Sequence, residues 1–292
     1  MGNRVSRVKT LGFIVLSFGL IILNLNLVGF FTKPSISKRE VAHRKYDQYW
    51  LLEENEKVIY ECLLNRAIDI TEGNTQDLSI DIPLSKENLQ GIFLTSQVKE
   101  IIKNINFEKI WSAVRADYGE YFWFADYAKI TFTSAHISYD NPYFRIILGK
   151  AEGVDLEKDS RRIREFLNAE YESSSLDSIA TYILENHKYN YKDPENIKNN
   201  ILITALENGA PLNCEGYAIY FKTLARKAGY DVYERIGTYG DTGHAWNLLV
   251  KNDKFYLYDL TGGVMGAMVS DAYETHPEEG NAYTVNNPRL KS

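Results

Sequence analysis

Cysteine is nearly absent from this 292-residue chain, which has only Cys62 and Cys214. That excludes a disulfide-dense scaffold. Neither residue sits in a Cys-x-x-Cys pair, so zinc-knuckle and dithiol-exchange motifs are excluded as well. A bridge between the two would consume the one thiol placed to react, so both are read as free. Cys62 falls in the run 51–67, where Leu52, Ile59, Leu63 and Ala67 recur at near-helical spacing, and it reads as an inert packing thiol. Cys214 reads as the reactive one. Positive charge is also in short supply: 33 Lys and Arg stand against 39 Asp and Glu, a net charge of -6. No stretch interleaves basic with aromatic residues, which speaks against nucleic acid as a partner. Internal repeats and low-complexity tracts are missing too, so a solenoid is excluded.

What is present begins with a basic segment, 1–10, carrying Arg4, Arg7 and Lys9, followed by the uncharged run 11–31. As a helix, its roughly twenty-one residues rise about 30 Å, the thickness of a bilayer's hydrocarbon core. No small-x-small site precedes Thr32, so an uncleaved signal anchor is expected, with secretion after signal cleavage as the alternative. Lys33, Lys38, Arg39, Arg44 and Lys45 follow the run and weaken the positive-inside contrast. A long domain behind an N-terminal anchor nevertheless predicts an extracytoplasmic body, with residues 11–31 as the membrane partner. A charged tether is expected over 32–47.

The body reads as α+β in two parts. A mixed domain over 48–155 is predicted from helices near 53–66, 96–105 and 107–115, a strand at 78–82, and a hairpin of 129–139 with 142–148 turned by Asp140-Asn-Pro142. Tyr121-Phe-Trp-Phe124 reads as core packing, and His136 as a surface or packing residue. The charged stretch 149–160 marks the boundary to a second domain, 156–292, which opens with helices at 161–167 and 176–185.

The chemistry gathers in that second domain. After Cys214, the residues Tyr217, Phe221, Leu224, Ala225 and Ala228 repeat at helical spacing until Gly229, which places Cys214 at a helix N-terminus. There the free amides and the helix dipole favour a thiolate, and the Cys214 N–H can face an oxyanion. Gly216, a poor helix former, points to a close approach at the cleft. Strands follow at 230–237, 243–250 and 254–260. The Asn252-Asp253 turn sets 250 opposite 255 and 246 near 259, which brings His244 level with Asp259 as base and orienter.

Asn213-Cys-Glu-Gly-Tyr-Ala218, Gly243-His-Ala-Trp-Asn247 and Tyr258-Asp-Leu-Thr261 resemble the three motifs of the transglutaminase-like superfamily. The resemblance covers about residues 160–265, and 116–123 is similar to a region that often precedes the domain in bacterial members. It implies a papain-like core, a Cys-bearing helix packed on an antiparallel sheet. Cys214 would be the nucleophile, His244 the base and acid, and Asp259 its orienter, with no cofactor and no metal. It also implies a protein or peptide substrate attacked at a peptide or glutamine carboxamide through a thioester. Hydrolysis is favoured; cross-linking to an amine is the alternative, and a non-catalytic envelope binding module a further one. Many relatives follow the aspartate motif with threonine and tryptophan, whereas Gly262-Gly263 follow Thr261 here, which leaves the cleft shape open. A second oxyanion donor is expected upstream, from Tyr191 or Asn190. Trp246 and Asn247 read as packing residues that also stand as candidates, with Gly216, to line the cleft.

Overall fold

The computed structural model describes residues 42–84, 99–100, 102–133, 143–170, 175–193, 196–269, 274–275 and 283–285. The segments 1–10 and 11–31, the tether as far as 41, and His136 lie outside the described residues. Among those described, no helix is long and apolar enough to cross a membrane.

The chain is α+β with two antiparallel sheets. Helix α1, Glu54–Glu72, starts with a reciprocal cap in which the Glu53 side chain takes the Glu56 amide and the Glu56 side chain takes the Glu53 amide. It stops at Gly73, whose left-handed φ of 78° suits glycine. Cys62 is buried in this helix, and burial pushes its thiol pKa up to about 12, which makes it inert. Strand β1, Ser79–Pro83, helix α2, Phe107–Tyr118, and strands β2, Thr131–Thr133, and β3, Tyr143–Ile147, follow. They form the small sheet in the order β1-β3-β2. Helical backbone at 99–100 and 102–104 is the described part of the helix expected at 96–105.

Helices α3, Leu156–Asn168, and α4, Leu176–Asn186, and the short turn α5, Leu202–Ala205, lead to α6, Cys214–Lys227. Strands β4, Val232–Tyr239, β5, Thr242–Lys251, β6, Lys254–Asp259, and β7, Val264–Val269, then run as a meander, completed by β8, Glu274–Thr275, and β9, Tyr283–Val285. The large sheet has the order β7-β6-β5-β4-β9-β8, and α6 packs on its central strands β4 and β5.

Burial bears on two of the expected boundaries. One buried cluster runs from Ile59, Leu63, Val114 and Trp123 to Ile163, Ile179, Phe221 and Leu224, and a second, of Tyr233, Trp246, Leu248, Leu257 and Val269, lies wholly within 156–292. The stretch 149–160 is charged because it crosses the surface, while Ala151 and Val154 still point into the first cluster. The tether also ends before 47, because Asp47 and Gln48 are buried. The buried Asp117 carboxylate accepts the amides of Gln48 (2.8 Å) and Tyr49 (2.9 Å) and the Tyr60 hydroxyl (2.8 Å), and Arg235 donates to the Tyr46 carbonyl at 2.9 Å. Polar residues are drawn inside because their backbone groups find partners there.

Candidate active site

Asn213 caps α6: its side-chain oxygen accepts the Gly216 amide at 3.0 Å, which leaves Cys214 as the first helical residue. A short parallel bridge between Tyr189 and Leu212 fixes the chain entering the helix, with Asn190 N–H donating to the Leu212 carbonyl at 2.9 Å. Cys214 is partly exposed and bears a free thiol.

Opposite it stands the hairpin of β5 and β6. Asn252 and Asp253 both take positive φ, 53° and 55°, as a two-residue turn with the right twist requires. The resulting register sets Val250 against Phe255 and Asn247 against Tyr258. His244 Nε2 meets Asp259 Oδ2 at 2.7 Å, with the carboxylate 2% exposed. The other carboxylate oxygen accepts the Thr261 hydroxyl at 2.7 Å, the Thr261 amide at 3.1 Å and the Gly262 amide at 3.0 Å. The chain thus folds back after Asp259 so that the Thr261 side chain and two main-chain amides hold the acid.

Electrostatics follow from these contacts. Burial pushes the Asp259 carboxyl up, yet the His244 hydrogen bond and charge, with Thr261 and Gly262, outweigh it and hold the group below its usual range. Burial works against a charged His244, but the hydrogen bonds to Asp259 and to Cys214 and the charges of both raise its pKa to about 9. Since Nε2 is taken by Asp259, Nδ1 is the nitrogen left for the Cys214 thiol. A cation is therefore stable beside the sulfur at neutral pH.

The other expected site residues fall differently. Trp246 is buried behind His244, its ring stacked at 6.0 Å between centroids. Asn247 is buried and donates to the Ala218 carbonyl at 3.0 Å, tying β5 to α6. Gly216 is buried within the helix. All three are buried, and Trp246 and Asn247 brace the site through these contacts. Asn190 turns its side chain back onto the Lys192 and Asp193 amides, and the tight turn there sends Tyr191 outward to 85% exposure. Tyr189, rather than Tyr191, is the tyrosine near Cys214: its pKa is raised by burial first and then by the charge of Cys214. The signal for Tyr189 is the pairing with Leu212, two residues before Cys214, which no local pattern announces.

Among the described residues, no group of three or more His, Cys, Asp or Glu is placed to hold a metal ion. No family model and no curated protein matches this chain.

Proposed function

We propose that this protein is a membrane-anchored, extracytoplasmic thiol enzyme of the transglutaminase-like superfamily, with a papain-like core, acting on peptide or glutamine carboxamide bonds. One observation carries the reading: a single imidazole, His244, is held by the Asp259 carboxylate at 2.7 Å and faces the Cys214 thiol at a helix N-terminus. A nucleophile, a base and an orienter in one line are what acyl transfer through sulfur needs. The anchor is supported by the apolar run 11–31.

In the first half-reaction the Cys214 sulfur attacks the carbonyl carbon. The oxygen that becomes negative faces the Cys214 amide, which belongs to a first turn without intrahelical acceptors, and the Tyr189 hydroxyl. As the C–N bond breaks, His244 gives its proton to the leaving amine and a thioester remains. In the second, His244 takes a proton from the incoming acceptor, the acceptor bonds to the acyl carbon, and the thiolate leaves. Water as acceptor makes the enzyme a peptidase or amidase, which is the reading favoured; an amine makes it a cross-linker.

The deciding experiment incubates the full chain with a glutamine-containing protein and an amine probe, comparing wild type with Cys214→Ala. New fragments or released ammonia that depend on Cys214 support hydrolysis, and probe incorporation means transfer. Neither product, together with iodoacetamide labelling of Cys214 that follows ordinary thiol pH behaviour, would overturn the thiol-enzyme reading in favour of a binding module.

A further inference from the structure

Immediately after the nucleophile comes Glu215, in the first turn of α6. An acid there suits the helix dipole, but it also sets a negative charge one residue from the sulfur, where it opposes a thiolate. The charge is not left alone. Arg115, from α2 in the first half of the chain, donates through Nη2 to Glu215 Oε1 at 2.6 Å and to the Asn200 carbonyl at 3.0 Å. Asn200 in turn donates to Glu215 Oε2 at 2.9 Å. Each oxygen of this carboxylate therefore has its own donor. Arg115 is only 2% exposed and lies over the Trp111 ring, 5.8 Å from its centroid.

We propose that Arg115 and Glu215 are positioning residues for Cys214: Arg115 cancels the charge of Glu215 beside the thiolate and pins the first turn of α6 against α2. The proposal rests on Cys214 being the nucleophile. It gives the first half of the chain a part in the chemistry, because the site lacks a balanced charge without a residue from α2. The groups facing Cys214 are His244 from β5, Asp259 at the end of β6, Tyr189 from the preceding loop and Glu215 on its own helix. Those facing the Arg115–Glu215 pair are Glu234 on β4 and, through Glu234, Lys222 on α6. A simple staple between α2 and α6 would use the same contacts, so the test must separate charge from scaffolding.

The separation lies in the sign. Iodoacetamide labelling of Cys214 is followed from pH 5 to 9 in the full chain, for wild type, Arg115→Gln, Glu215→Gln and the double variant, with a thermal melt on each. Under the proposal, Arg115→Gln leaves the carboxylate bare and slows labelling at pH 6 about tenfold, the equivalent of one pH unit. Glu215→Gln removes the charge at nearly the same shape, with the Asn200 amide turned over so that its unpartnered Oδ1 accepts the new N–H, and speeds labelling, and the double variant returns to within about twofold of wild type. If both single variants slow labelling alike, the pair is a staple and the proposal falls. Should Arg115→Gln fail to fold, Glu215→Gln alone decides, since slower labelling overturns the proposal and faster labelling upholds it. Wild-type Cys214 that labels as an ordinary thiol would sink the enzyme reading itself, a result distinct from a wrong sign among the variants.

Discussion

Helix α6 carries charge at its front and in its middle, and the two places are built for opposite ends. At the front, Cys214 is partly exposed and the His244 side chain is 15% exposed, each with an edge open to an incoming group. In the middle, Lys222 and Glu234 are fully buried, 2.9 Å apart, with Lys222 also donating to the Ala116 carbonyl at 2.7 Å and lying 3.3 Å from Glu120. Burial pushes Glu234 up to about 7 despite the pull of Lys222, whereas in His244 burial opposes a rise that neighbouring groups produce. A perturbed pKa therefore does not by itself mark the reactive end. What differs is access, since the inner pair joins α6 to β4 and to the Gly119–Tyr121 turn with no room for a substrate.

Four measurements would break or sharpen this contrast. Cys214→Ala should abolish turnover while leaving the melting temperature close to wild type, as expected of a partly exposed thiol whose loss opens little core. Asp259→Asn should lower turnover by about 10²–10⁴-fold, because an amide cannot hold the imidazolium as a carboxylate does; an unchanged rate would remove Asp259 from the site. Lys222→Met acts at the inner place, where it strands Glu234 and leaves Glu120 with Arg226 alone, and should cost about 3–5 kcal/mol in denaturant unfolding. If that variant is as stable as wild type but inactive, the division between front and middle is wrong. Asn213→Ala should cost about 1 kcal/mol through loss of the helix cap, with slower Cys214 labelling as its second sign.

Acidity offers a further check on the front. His244 has a folded pKa of about 9, above its unfolded value of 6.5. Its pairing therefore stabilises the fold fully below pH 6.5 and the contribution is lost as pH rises to 9. The melting temperature of wild type should fall across that window by more than that of His244→Gln, and parallel curves would deny the imidazolium.

The sequence made the hairpin legible because its signals are local. Asn252-Asp253 between two apolar-rich strands sets the register, and the register alone brings His244 level with Asp259. The helix carrying Cys214 was equally readable from its spacing and its stop at Gly229. Arg115 was not, for it meets Glu215 across a separation of 100 residues, and nothing in the pattern of α2 singles out one buried arginine. Tyr189 escaped for a related reason: the loop around it alternates aromatic residues, and only its bridge to Leu212 decides which of them turns toward the thiol. The buried cluster shared across 149–160 was hidden because such a cluster is a property of packing, whereas a charged surface crossing looks the same in sequence as a linker.

The burial of Asp47 and Gln48 also bears on the proposed anchor, since it sets how far the body would stand from that attachment. With chain slack running from 32 to 47, the body could stand off by about 55 Å at full extension; with residues from 42 onward built into the fold, the limit drops to about 35 Å. Under the proposed anchoring, a body on so short a leash would sample a thin layer next to its support, and a few residues inserted before position 42 would widen that layer without touching the candidate site.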